Sequence, residues 1–148
     1  PGVMLYGVSP FGEDEGSQWQ LIPVMTLKSK IIAIKPLKKG DSIGYGCTWC
    51  AEQDMLMGVI AIGYGDGYPR YIQNGAPVLI NGHYAKLVGR VSMDMITVDL
   101  SLHPQTKIGD TVTLWGKGLP VEEIAKWANT SAYELLCGVT QRVDFITT

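Results

Sequence analysis

The sequence predicts a mainly β domain, a compact barrel-like sheet with two short helices near its C-terminal end. Three observations carry this reading. Short runs of aliphatic and β-branched residues recur along the 148 residues. Turn signals rich in Gly, Pro and Asn separate them at close spacing. Helical periodicity begins only beyond Pro120. The length suits one domain with a substantial core, and 46% hydrophobic with 18% charged residues is ordinary for a globular chain.

Taken in order, residues 1–12 are apolar and punctuated by Gly and Pro, and Glu13-Asp14-Glu15-Gly16-Ser17 is a polar break and candidate boundary. The strand pattern begins at Gln18 and is richest from Leu21 to Ile34, with Lys28 and Lys30 alternating outward. Pro36 is expected to end or bend this strand, because proline has no N–H to give to a ladder. Lys38-Lys39-Gly40-Asp41 reads as a turn. The almost wholly apolar run from Met55 to Ile62 has the length of a buried strand. Pro77–Ile80 and His83–Val88 flank Asn81-Gly82, a hairpin signal because both central residues of a type I′ turn need positive φ. Met95–Leu100 alternates, with Ile96, Val98 and Leu100 on one face, and Thr111–Trp115 is a further strand. Pro120 suits the first turn of a helix whose Glu122 and Glu123 favour the positive end of its dipole. Ile124, Trp127 and Ala128 share a face of that helix. Ser131-Ala132-Tyr133-Glu134 fits a capping box for a second helix, with Tyr133, Leu136 and Cys137 as its expected buried side. Arg142–Ile146 is expected to be a closing strand. The four tryptophans, with Met55 and Met57, are expected in the core.

Several function classes are excluded or disfavoured. A net charge of −2 gives no electrostatic footprint for nucleic acid. No apolar run approaches the roughly 18 residues of a membrane span. An odd count of three cysteines does not suit a secreted disulfide framework, so a reducing cytoplasm is the expected location. No leader pattern opens the chain, and Pro1-Gly2-Val3-Met4-Leu5-Tyr6-Gly7 reads like the interior of a longer protein. Cys47-Thr48-Trp49-Cys50 lacks the second pair of a zinc site and the βαβ setting of a redox motif. The Ser, His and Asp residues show no spacing that argues for a nucleophilic triad.

Three glycine-flanked segments stand out. They are Ile43-Gly44-Tyr45-Gly46, Gly63-Tyr64-Gly65-Asp66-Gly67-Tyr68-Pro69-Arg70 and Gly89-Arg90-Val91-Ser92-Met93-Asp94. Each puts a tyrosine or a Met-Asp pair near a strand edge, where glycine permits positive φ and close approach of another molecule. Gly63–Gly67 has neither the Lys-Ser/Thr of a P-loop nor dinucleotide-site spacing. Pattern alone leaves each segment open between a packing turn and one wall of a shared site.

In this order and spacing the segments resemble the C-terminal domain of the alanine racemases. Pro1–Gly7 is similar to that family's R-P-G-x-x-L-Y-G segment. Ile43–Gly46 is similar to V-S-Y-G, Ile62–Arg70 to I-G-Y-A-D-G-Y-P-R, and Val88–Met95 to V-G-R-V-S-M-D-M. Gly109-Asp110 to Gly116 and Tyr133–Cys137 fit as well, so the likeness runs along the whole chain. It implies a boundary with residues 1–12 ending an N-terminal α/β barrel and 13–148 forming the β domain. It implies pyridoxal 5′-phosphate held on a lysine of that barrel, a homodimer, and a site shared between one subunit's barrel and the other's β domain. Tyr45 would be the base for the α-proton of L-alanine, Tyr64 and Met93 would line the substrate pocket, and Gly2 and Val3 would offer backbone N–H groups to the phosphate of their own subunit's cofactor. Asp66 and Asp94 would brace their loops. D-Alanine made this way would serve peptidoglycan of the cell wall. None of the nine lysines lies in a cofactor-lysine motif. Gln141 stands where some members carry a phosphate-binding tyrosine. A related serine or other amino-acid racemase, membrane-anchored serine racemases included, and a small β-barrel binding module are the alternatives.

Overall fold

A computed structural model describes residues 2–11, 15–44, 46 and 49–147. Eight strands and two helices account for its regular structure: β1 (Leu27–Leu37), β2 (Ser42–Ile43), β3 (Trp49–Cys50), β4 (Met55–Ile60), β5 (Pro77–Ile80), β6 (His83–Leu87), β7 (Ile96–Asp99), β8 (Thr111–Trp115), α1 (Val121–Ala128) and α2 (Ala132–Gly138). Short 3-10 turns cover Gly2–Tyr6, Gly16–Trp19 and Tyr64–Asp66. Six strands close into an antiparallel barrel in the order β1-β4-β7-β6-β5-β8, and β2-β3 form a separate two-stranded ribbon. Closure leaves no long open edge.

Strand β1 makes closure possible. Its N-terminal half, Leu27–Lys30, pairs with β8, and its C-terminal half, Ile31–Leu37, pairs with β4. Register shifts at Leu27/Lys28 and at Ile31/Ala33 bend it between its two neighbours, as bulges do. Pro36 does not end this strand. It sits opposite Leu56 where β8 no longer pairs, so a missing N–H removes no bond from that edge. The Asn81-Gly82 hairpin forms as expected, with φ of 49° and 85°.

Alternation fills the interior. Ile31, Ile60, Val78, Leu87, Ile96 and Val98 all point inward and are buried, while Lys28, Lys30 and Lys86 face out. Trp115 and Tyr68 stack with ring centroids 6.0 Å apart and 11° between planes. Helix α1 closes one side through Ile124 and Ala125. Asn129 in the left-handed conformation ends it. Pro120 occupies the position before its first turn, and its carbonyl accepts from Glu123 N at 3.1 Å. Outside the barrel, Ile43 packs with Met57 and Val88, with Leu37, Trp49 and Val59 alongside. This smaller cluster seats the β2-β3 ribbon on the outer face of β4.

Four expectations are corrected. Residues 142–146 form no strand, because β1 and β8 already complete the ring. On α2 the buried residue is Leu135, whereas Tyr133 and Cys137 are exposed and Leu136 is half-buried. A seven-residue helix lying at the surface buries one position rather than a stripe. Ser131 does cap it, accepting from Glu134 N at 3.3 Å, but the Glu134 carboxylate takes the Thr130 hydroxyl instead of closing the box. Of the tryptophans only Trp115 is deep in the core, with Trp19 exposed and Trp49 and Trp127 half-buried. Met57 is buried and Met55 only partly so.

Candidate active site

The C-terminal ends of β4 and β6 and the start of β7 meet at one end of the barrel, since Ile60 pairs with Ile96 and Leu87 with Val98. The loops leaving these ends carry the second and third glycine-flanked segments. They are joined main chain to main chain: Tyr64 N donates to Ser92 O at 3.0 Å, and Gly65 N donates to Met93 O at 2.9 Å. Glycine at 63 is what permits this, because a Cβ there would collide with the carbonyl oxygens of Ser92 and Met93. Asp66 turns back on its own loop and accepts from Gly63 N at 2.9 Å.

The first segment reaches the same end. Gly44 has φ of 77°, and a Cβ on it would come 3.3 Å from Arg90 N. At Gly89 a Cβ would come 3.1 Å from Ile43 Cδ1. Ile43 and Gly44 therefore lie directly on Gly89 and Arg90, two residues short of the Ser92–Met93 loop. Tyr45 itself lies outside the described residues, as does Cys47.

The tyrosines of the second segment divide by environment. Tyr68 is 1% exposed, and burial pushes its phenol far above the ordinary range, so it stays neutral and anchors the loop against Trp115. Tyr64 is 41% exposed and Met93 49% exposed. Both are large apolar groups turned to the outside on adjoining loops. The Arg70 guanidinium lies 5.3 Å from the Tyr64 ring centroid and 5.7 Å from that of Tyr71, within cation–π range. Arg70 and Arg90 border a hollow of about 310 Å³ beside Gly89. Among the described residues neither has a carboxylate within ion-pairing distance.

Arg142, at the start of the expected closing strand, completes the rim. Arg142 Nε is 3.3 Å from Asp66 Oδ1, and its Nη2 donates to Asp94 Oδ1. Asp94 first, then Asp66, holds the guanidinium above its usual range. Thr140 supports the same loop, with its N–H donating to Asp66 O at 3.1 Å and its hydroxyl to Gly65 O at 2.8 Å. The expectation that Asp66 and Asp94 brace their loops is met through Arg142. Only residue identity hinted at this, as two acids near the motifs and one arginine far along the chain.

Gly2 and Val3 stand apart from this rim. They open the Gly2–Tyr6 turn, with Val3 buried and Gly2 exposed. A Cβ on Gly2 would meet only the Tyr133 hydroxyl, at 3.7 Å. With Tyr6, Tyr133, Leu136 and Cys137 they line a largely apolar hollow of about 290 Å³. Glu122 secures the segment that follows, accepting from Ser9 N at 3.2 Å and Gly16 N at 2.9 Å. Among the described residues no cluster of His, Cys, Asp and Glu suits a metal ion.

The family model described as the alanine racemase C-terminal domain matches residues 24–147. The chain belongs to that family. It is 58% identical to an alanine racemase of Coxiella burnetii, over 99% of this chain and 42% of that protein. It is 49% identical to an alanine racemase of Piscirickettsia salmonis, over 99% of this chain and 88% of the other. Among solved structures, the biosynthetic alanine racemase from Pseudomonas aeruginosa superimposes with a TM-score of 0.94 at 48% identity, covering 97% of this chain and 40% of that one. The chain thus spans about two fifths of the length of the Coxiella and Pseudomonas proteins. No described helix is long and apolar enough to cross a membrane.

Proposed function

We propose that this chain is the β domain of an alanine racemase that works with pyridoxal phosphate, and that it presents Tyr45 to a cofactor held by another subunit's barrel. Residues 1–12 then end the barrel and 13–148 form the domain. The observation that carries the reading is the convergence of all three glycine-flanked segments at one barrel end, in a chain belonging to the racemase family. Racemisation calls for a base on each face of a planar reacting carbon. A rim that presents its groups outward, instead of around an internal cavity, suits a site completed by a second polypeptide.

On this reading the Tyr45 hydroxyl oxygen takes the α-proton from L-alanine and returns it in the reverse direction. The other face falls to a base outside this chain. Tyr64 and Met93 wall the substrate pocket. Arg70 and Arg90, without carboxylate partners among the described residues, give the rim the sign that attracts an amino-acid carboxylate. The Tyr45 role carries a demand: a phenol with a pKa of about 10 is ionised in only roughly one molecule in a thousand at neutral pH, so a neighbouring cation must favour the phenolate.

For the cofactor, the fitting residues are Gly2 and Val3. The leading N–H groups of a helical turn have no partner within the turn, and the absence of a side chain at Gly2 leaves its backbone open to a phosphate. When bound, pyridoxal phosphate supplies an electron sink for the α-carbon. This chain would hold only the phosphate end of its own subunit's cofactor, a different molecule from the one Tyr45 meets.

The test compares the isolated chain with the longer enzyme. The isolated chain should show neither racemisation of alanine nor the absorbance of bound cofactor, and the longer enzyme both. A measurable rate from the isolated chain contradicts the shared site. In the longer enzyme, Tyr45→Phe should lower L-to-D turnover by orders of magnitude with an unchanged circular dichroism spectrum, and near-normal turnover refutes the role.

A further inference from the structure

Arg142 is the one cation of the described residues that holds two carboxylates, and both belong to site loops. Asp66 follows Tyr64 by two residues, and Asp94 follows Met93 directly. Among the described residues two main-chain hydrogen bonds join the loops, Tyr64 N to Ser92 O and Gly65 N to Met93 O. Arg142 adds a side-chain bridge at Gly65, where a Cβ would run into its guanidinium. The 3-10 turn at Tyr64–Asp66 is thereby tied both to the Ser92–Met93 carbonyls and to a planar, charged side chain. A guanidinium suits this, because its fork of donors reaches two acceptors in fixed directions. An ammonium at the same place could serve one acidic group well, or both poorly.

We infer that Arg142 is a positioning residue that sets the distance between Tyr64 and Met93, and through it the size of substrate side chain that fits between them. The inference rests on the proposed racemase reading. It adds to that reading a residue which touches no substrate and acts through the two loops. Without Arg142 the site loops present two carboxylates, Asp66 and Asp94, with no shared countercharge. Their repulsion opens the gap that a methyl-bearing substrate requires to be narrow.

The experiment uses the longer enzyme with Arg142→Ala and Arg142→Lys, with Asp94→Asn as an independent route to the same bridge. KM and kcat are measured for L-alanine and L-serine, beside the melting temperature. Arg142→Ala should raise KM for L-alanine by about 5- to 20-fold with kcat changed less than threefold. It should raise the serine-to-alanine ratio of kcat/KM by about 3- to 10-fold, in line with the modest discrimination a pocket exerts per added atom. Arg142→Lys and Asp94→Asn should fall between wild type and Arg142→Ala in that ratio, and they carry the test if Arg142→Ala does not fold. An unchanged ratio in folded variants, with or without a lower melting temperature, overturns the inference and leaves a merely structural tie. A wild-type longer enzyme that does not racemise alanine overturns the underlying reading and this inference with it.

Discussion

Replacing Gly63 with alanine probes the contact on which the rim depends. Gly63 has φ of −151°, extended backbone that any residue adopts, so alanine brings no conformational strain. Its cost is steric. The new Cβ would lie inside 3.0 Å of the carbonyl oxygens of both Ser92 and Met93. These are main-chain atoms, not the tips of flexible side chains, so the loops must part. Parting loses the hydrogen bonds of 3.0 and 2.9 Å between them, each worth about 0.5–1.5 kcal/mol net. Overpacking adds about 1–3 kcal/mol. The total is about 2–6 kcal/mol. Gly40→Ala is the matched control: Gly40 has φ of +90° and nothing within 4 Å of a Cβ, so it carries only backbone strain, about 1–2 kcal/mol. Urea unfolding of the chain, followed by tryptophan fluorescence, should show the larger midpoint shift for Gly63→Ala with an unchanged slope. A smaller loss at Gly63 than at Gly40 would refute the argument that the two loops are in enforced contact.

Glu122→Ala removes the acceptor for Ser9 N and Gly16 N. It should cost at least about 1.5–3 kcal/mol, the range for one hydrogen bond to a charged group, and loosen the N-terminal segment to proteolysis; limited digestion checks this. Glu123 behaves oppositely. Burial first, then the nearby Glu15 charge, raises its pKa above the ordinary value. A carboxyl group with a raised folded-state pKa stabilises the fold below the unfolded pKa, and that contribution is lost as pH rises through the folded value. Glu123→Gln should therefore stabilise the fold at pH 7 by a fraction of a kcal/mol after solvent screening, seen as a small rise in melting temperature, and leave both unchanged near pH 4. Melting curves at the two pH values decide it.

The barrel was largely legible because its signals are local. Asn81-Gly82 names its turn, and Ile96, Val98 and Leu100 name a face. The failures lie where tertiary context decides. Pro36 stays inside β1 because one edge of that strand is unpaired there, a fact of sheet order that no window shows. Arg142–Ile146 has strand composition but no free edge to join. Tyr133 and Cys137 have helical spacing, yet α2 buries Leu135, with Ala132 and Leu136 packed partly beside it. At the site, the glycine-flanked segments were visible as motifs and their resemblance tied them together. Arg142 was not visible in that role, because its partners Asp66 and Asp94 lie 76 and 48 positions away along the chain and only folding brings them together.

The central claim is that Tyr45 acts on a cofactor belonging to a different subunit. Subunit mixing tests it most directly. One inactive variant of the longer enzyme carries Tyr45→Phe, and the other lacks the cofactor lysine. If the sites are shared across a two-fold dimer, denaturing and refolding the pair together should restore racemase activity to about a quarter of wild type, because half the dimers are mixed and each holds one intact site. If Tyr45 serves the barrel of its own chain, every site in the mixture is defective, and activity no higher than that of the separate variants contradicts the account.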